Sequence, residues 1–132
     1  MQVTASVAQS KPSVTILAIQ GEISAQTSDQ FETAARQAIE LGARNLLLDL
    51  TQVPYVSSAG LRSIQAIFNL LHTPDTEADS EAMRKGLRDG SFKSPHLKLL
   101  KPTPEVAKVL RITGFDMFIE SYRDLQAALS AF

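Results

Sequence analysis

Asn45-Leu46-Leu47-Leu48-Asp49-Leu50-Thr51-Gln52-Val53-Pro54-Tyr55-Val56-Ser57-Ser58-Ala59-Gly60-Leu61-Arg62 is the stretch whose reading decides the fold. Leu46 to Leu50 is a short, nearly continuous apolar run with Asp49 near its end. Such a run between two helical patterns reads as a central parallel strand buried on both faces. Pro54 lacks the N–H that a continuing ladder needs, so the strand stops before it. Ser57-Ser58 then opens a helix that carries Leu61, Ile64, Ile67, Phe68 and Leu71 on its inner side.

Upstream, Val14-Thr15-Ile16-Leu17-Ala18-Ile19 is rich in β-branched residues and stops at Gly21. It reads as a strand, paired with a shorter one around Val3–Val7 across the turn Ser10-Lys11-Pro12-Ser13. Phe31, Ala34, Ala35, Ala38, Ile39 and Leu41 recur at spacings of three and four, predicting a helix from Ser28 to Leu41. Gly42 ends it, and Thr27 with Gln30 forms a capping box at its start.

Downstream, a charged segment at about 73–95 breaks the alternation. Asp75, Glu77, Asp79 and Glu81 precede Arg84, Lys85, Arg88 and Lys93, with Gly86 and Gly90 between them. Composition predicts a solvated, mobile insertion with one helical turn around Glu81–Leu87. His96–Leu100 then reads as a strand. Thr103-Pro104-Glu105 starts a helix, with cap, proline and dipole-matched acid in order, whose buried stripe is Val106, Val109, Leu110 and Ile112. Gly114 ends it, Phe115–Glu120 reads as a last strand, and Ser121 with Asp124 forms a capping box for a final helix bearing Leu125, Ala128 and Leu129. The expected fold is α/β over residues 1–132: a mixed, mostly parallel sheet of about four to five strands with covering helices.

The 132 residues suit one domain. With 13 Lys plus Arg against 14 Asp plus Glu, the net charge of -1 speaks against binding through a nucleic-acid backbone. An absence of cysteine excludes a disulfide framework, a thiolate nucleophile and a cysteine zinc site. Met1–Ser10 lacks the basic start and apolar run of a secretory signal, and no apolar stretch is long enough for a bilayer span, so a cytoplasmic location is expected without membrane contact.

Catalytic readings find little support. His72 and His96 flank the charged segment, have no partner at metal-ligand spacing, and read as surface residues at element ends. Ser58, His72 and Asp49 do not make a serine hydrolase, because the glycines of a nucleophile elbow are missing. No glycine-rich loop with a following lysine cradles a phosphate. The pair Ser57-Ser58 is different. At its plainest Ser58 is an N-cap, yet two hydroxyls followed by the small Ala59 and Gly60 also leave an oxygen approachable by another protein's active site. A phosphate there would meet free helix N–H groups and bring roughly -1.5 to -2 of charge without unfolding the domain.

The stretch Leu46–Arg62, together with Ile19-Gln20-Gly21-Glu22-Ile23 and the segment from Leu97-Lys98-Leu99-Leu100 to Thr113-Gly114-Phe115, resembles the STAS domain family of anti-sigma factor antagonists and sulphate-transporter tails. The resemblance implies a binding module rather than an enzyme. In that family the unphosphorylated domain binds an anti-sigma factor that is also a serine kinase, which frees a sigma factor. Phosphorylation at the helix start ends the binding, and a PP2C-type phosphatase restores it. No cofactor is implied. The commonest family motif is Asp-Ser-Ser-Gly-Leu, with the modified serine directly before glycine. Here Ala59 holds that position and Ser57 stands at the aspartate, while the form Ser-Ser-Ala-Gly-Leu also occurs in the family. Ser58 is therefore the leading acceptor and Ser57 the second, with Tyr55, Ala59, Gly60, Arg62 and Asp49 as the partner surface around them. The alternative is a scaffold or small-anion sensor of the same fold that recruits partners through its charged insertion.

Overall fold

The computed structural model describes residues 1–72 and 77–132. In chain order the elements are β1 (Gln2–Ala8), β2 (Val14–Gln20), α1 (Ser28–Glu40), β3 (Leu46–Gln52), α2 (Ser58–Leu71), α3 (Glu77–Asp89), β4 (Leu97–Leu100), α4 (Pro104–Thr113), a 3₁₀ turn at Phe115–Met117, β5 (Ser121–Tyr122) and α5 (Leu125–Ser130). The strands lie in sequence order in one five-stranded sheet. β1 and β2 pair antiparallel, while β2, β3, β4 and β5 run parallel.

Alternation along β3 accounts for its apolar run. Leu46, Leu48 and Leu50 enter the larger core with Phe31 of α1, Ile64, Ile67 and Phe68 of α2, and Val106 and Leu110 of α4. Leu47 points the other way, into a smaller core with Val14, Leu100 and Ala128 of α5. All four leucines are fully buried. Truncating one to alanine would cost about 2–5 kcal/mol in lost transfer energy and cavity. Among the described residues no helix is long and apolar enough to cross a membrane.

Several local expectations need correction. Thr27 does not cap α1 with its side chain. Its hydroxyl donates to the Glu22 carbonyl at 2.8 Å and accepts from the Ser24 N–H at 2.9 Å, so it is committed to the preceding turn. Gln30 reaches instead to the Met1 carbonyl at 3.0 Å. The charged insertion holds not one turn but the 13-residue helix α3. Acids in its first turn and Arg88 in its last match the helix dipole. Gly86, which reads as a breaker, is buried there, and a Cβ on it would come within 2.9 Å of Phe92 Cβ. The expected insertion also includes residues 73–76, which lie outside the described residues.

The last strand is displaced as well. Phe115, Phe118 and Ile119 are spaced as a helical turn places them on one side, and all three meet the larger core. The chain there forms the 3₁₀ turn, and parallel pairing begins only at Ser121. Ser121 therefore belongs to β5 and caps nothing. Asp124 is the cap of α5, accepting from the Ala127 N–H at 2.9 Å. In α4 the stripe of Val106 and Leu110 is buried, but Ile112 is 71% exposed, two positions beyond Leu110 and so on the far side of the helix.

Candidate functional site

The loop from Val53 to Ser57 carries the chain from the end of β3 to the start of α2 and is tied to the segment after β2. The Ile23 N–H donates to the Tyr55 carbonyl at 3.0 Å, and the Ser57 N–H donates to the Ile23 carbonyl at 2.9 Å. Ile23 and Val56 form an isolated parallel bridge, and both side chains are buried. From the other side, the Thr103 hydroxyl donates to the Val53 carbonyl at 3.0 Å. The loop is thus held at both ends, and the helix start that follows has a fixed position.

Ser57, and not Ser58, is the N-cap of α2. Its backbone is extended (φ -85, ψ 177), and its Oγ accepts from the Gly60 N–H at 3.3 Å. Ser58 is the first helical residue and is exposed. The N–H groups of Ser58 and Ala59 have no intrahelical acceptor at these positions, so this end of the helix carries positive partial charge. The two hydroxyls therefore divide their work: one is engaged by the helix and one faces outward.

Gly60 is buried, and a Cβ there would fall 2.6 Å from the Ile23 carbonyl oxygen, 2.8 Å from Val56 Cγ1 and 2.9 Å from Ile23 Cγ2. Its smallness serves the packing of α2 on the Ile23–Val56 bridge. Ala59 is half-buried. Arg62 is exposed one turn beyond Ser58, and i, i+4 residues share a helix face. Tyr55 is 48% exposed just before the cap. Ser58, Arg62 and Tyr55 are thus the outward-facing members of the expected set.

Asp49 is not among them. It lies within β3, not at its end, and alternation turns it to the sheet face opposite α2. There its Oδ1 accepts from the Thr51 N–H at 3.1 Å and the Thr51 hydroxyl at 2.5 Å. It lines an open depression of about 490 Å³ with Gln20, Gln52 and Lys101.

The histidines are closer together than their separation in sequence suggests. Their ring centroids are 5.4 Å apart, and both rings are partly buried, contrary to a reading as separate surface residues. His72 donates from Nδ1 to the Phe68 carbonyl at 2.8 Å, which leaves Nε2 to accept from the Ser94 hydroxyl at 2.9 Å. Its ring stacks on Phe68 at 4.1 Å between centroids. His96 Nδ1 meets Asn45 Oδ1 at 2.9 Å. Burial holds both imidazoles below the ordinary histidine range, and for His96 the Lys98 ammonium adds to the effect. Among the described residues no group of three or more ligating side chains could hold a metal.

One charged residue carries no sequence signal at all. Lys98, on β4, is buried to within 4% of its side chain, pairs with Glu120 at 3.0 Å and donates to the Ser94 carbonyl at 3.0 Å. Its ammonium also lies over the Tyr122 and Phe132 rings.

Residues 5–77 match the STAS domain model. A Bordetella bronchiseptica protein named as an anti-sigma factor antagonist, BtrV, is 26% identical over 117 residues, covering 89% of this chain and 84% of that protein. The crystal structure of an anti-sigma factor antagonist from Mycobacterium paratuberculosis superposes with a TM-score of 0.70 at 22% identity, over 98% of this chain and 93% of that one. The Bacillus cell fate determinant SpoIIAA in its phosphorylated form shares the fold with a TM-score of 0.56 at 16% identity, over 95% of this chain and 96% of that one.

Proposed function

This chain belongs to the STAS domain family, and from that premise we propose that it is an anti-sigma factor antagonist whose binding is set by phosphorylation of Ser58. The observation that carries the proposal is the division between the two serines: Ser57 Oγ is held by the Gly60 N–H, while Ser58 is exposed at the first helical position. The name of its Bordetella relative and the fold it shares with SpoIIAA support the same direction.

In this reading the unmodified domain presents Ser58, Arg62 and Tyr55 to an anti-sigma factor that is also a serine kinase. Binding releases the sigma factor that the kinase holds. The kinase supplies ATP and its metal, so the antagonist needs no cofactor or catalytic group of its own. Phosphate on Ser58 is stabilised in the free protein by the helix dipole and by Arg62 one turn away. In the complex the same charge is driven into an interface shaped for a neutral hydroxyl. A hundredfold loss of affinity needs only about 2.7 kcal/mol, which one desolvated charge without a partner supplies. A PP2C-type phosphatase then resets the domain in the cytoplasm.

The test is to incubate the protein with its cognate kinase and Mg-ATP and to locate the modification by mass spectrometry. Phosphate on Ser58, lost in Ser58→Ala and retained in Ser57→Ala, supports the assignment. Undiminished modification of Ser58→Ala defeats it.

A further inference from the structure

The two edges of the sheet are unlike. β5 has two residues and is followed directly by α5, a short edge of the kind that resists further pairing. β1 has seven residues, Gln2-Val3-Thr4-Ala5-Ser6-Val7-Ala8, with no charge and no proline, and among the described residues it pairs with β2 on one side only. Its other side offers a row of unpaired backbone N–H and C=O groups.

We propose that this edge is a self-association surface, at which a second copy of the chain adds its own β1 antiparallel about Ala5. The sequence of the strand is what selects a second copy. Val3-Thr4-Ala5-Ser6-Val7 reads nearly the same in both directions. An antiparallel pair centred on Ala5 sets Val3 against the second copy's Val7, Ala5 against Ala5, and Thr4 against Ser6. The β1–β2 register places Val3, Ala5 and Val7 on one face, opposite Ile19, Leu17 and Thr15, with Thr4 and Ser6 on the other. The pairing therefore joins aliphatic to aliphatic on the helix side and hydroxyl to hydroxyl on the far side, the latter a favourable cross-strand combination.

The helix beside the edge is partitioned to match. Gln30, Ala34, Gln37 and Leu41 recur at four, three and four, while Glu32, Arg36 and Glu40 occupy other positions around α1. Gln30, Ala34 and Gln37 line a shallow depression with Val3, and Leu41 lines another with Val7. Val7 and Leu41 are 59% and 90% exposed, and they are the apolar groups that pairing would cover. Asp29 lies at the Val3 end.

Size bounds the strength. Seven residues make roughly 24 Å of paired strand. With one flanking helix row the contact stays below the roughly 800 Å² per partner of a standard stable interface, so the dimer forms reversibly and depends on concentration.

The experiment uses the whole chain. Sedimentation up to millimolar concentration should show a reversible monomer–dimer equilibrium that closes at two copies. Ala5→Lys sets like charges against each other on the axis and should weaken association at least tenfold, as should Ala5→Glu, while mixing the two variants should restore a dimer. Because the chain has no cysteine, engineered thiols give a second readout that survives any loss of stability in the charged variants. In the paired register the two Ala5 Cα atoms lie about 4.5–5.5 Å apart, within disulfide reach, whereas the two Val7 positions are roughly 14 Å apart. Ala5→Cys should cross-link under mild oxidation many times faster than Val7→Cys or the exposed Lys108→Cys. A chain that stays monomeric, grows into open-ended oligomers, pairs only with a foreign strand, or cross-links equally at the three positions overturns the proposal.

Discussion

The Ile23 carbonyl oxygen stands where Gly60 leaves room for it. A Cβ on residue 60 would lie 2.6 Å from that oxygen, which also accepts the Ser57 N–H at 2.9 Å. One backbone carbonyl thus sets both the approach of α2 and the conformation of its cap.

Gly60→Ala must therefore push α2 away from the Ile23–Val56 bridge. The expected cost is about 1–3 kcal/mol, the range for overpacking against atoms that cannot move aside. Urea denaturation measures it, and a loss below about 0.5 kcal/mol, the scatter of neutral surface changes, would show that the contact relaxes freely.

Capping and modification should separate between the two serines. Ser57→Ala removes the acceptor for the Gly60 N–H and should lower stability by about 1 kcal/mol. Ser58→Ala touches no such bond and should stay within about 0.5 kcal/mol of wild type. Thermal denaturation of the two variants makes the comparison.

Lys98 and Glu120 should respond asymmetrically. Glu120→Ala leaves a buried ammonium with the Ser94 carbonyl and two aromatic faces, and should cost about 1–2 kcal/mol, discounted because Glu120 is itself 40% exposed. Lys98→Met replaces a desolvated charge with an apolar chain of similar length and should be nearly neutral or stabilising. Equal losses from the two would contradict this account of the pair.

The histidines give the protein a pH dependence with a definite sign. Both have folded pKa values held below the unfolded value of 6.5, so the unfolded chain takes up protons first as pH falls. Their contribution is fully present above about pH 6.5 and declines as pH drops through the folded values. Denaturation midpoints at pH 7.5 and 5.5 should differ by less in His72→Gln than in wild type, and an unchanged difference would remove His72 as a cause.

The central strand and the helix start are legible in the sequence because β3 is buried on both faces and reads as an unbroken apolar run. The cap of α4 is legible because Thr103-Pro104-Glu105 meets three local requirements at once. What sequence conceals depends on contacts between distant segments. Gly86 and Gly60 look like a breaker and a spacer, yet each is needed where another segment comes close, at Phe92 and at Ile23. Thr27 and Ser121 have the residue types of caps, but a turn and a strand claim them first. Asp49 is adjacent to the site in sequence and on the other side of the sheet in space, because β-alternation reverses direction at every residue.

The most direct test of the account is the affinity of the cognate anti-sigma factor kinase for two forms of this protein, unmodified and stoichiometrically phosphorylated on Ser58, measured by isothermal titration calorimetry. A dissociation constant at least a hundredfold higher for the phosphorylated form, about 2.7 kcal/mol, is the predicted result. Equal affinity for the two forms would contradict it.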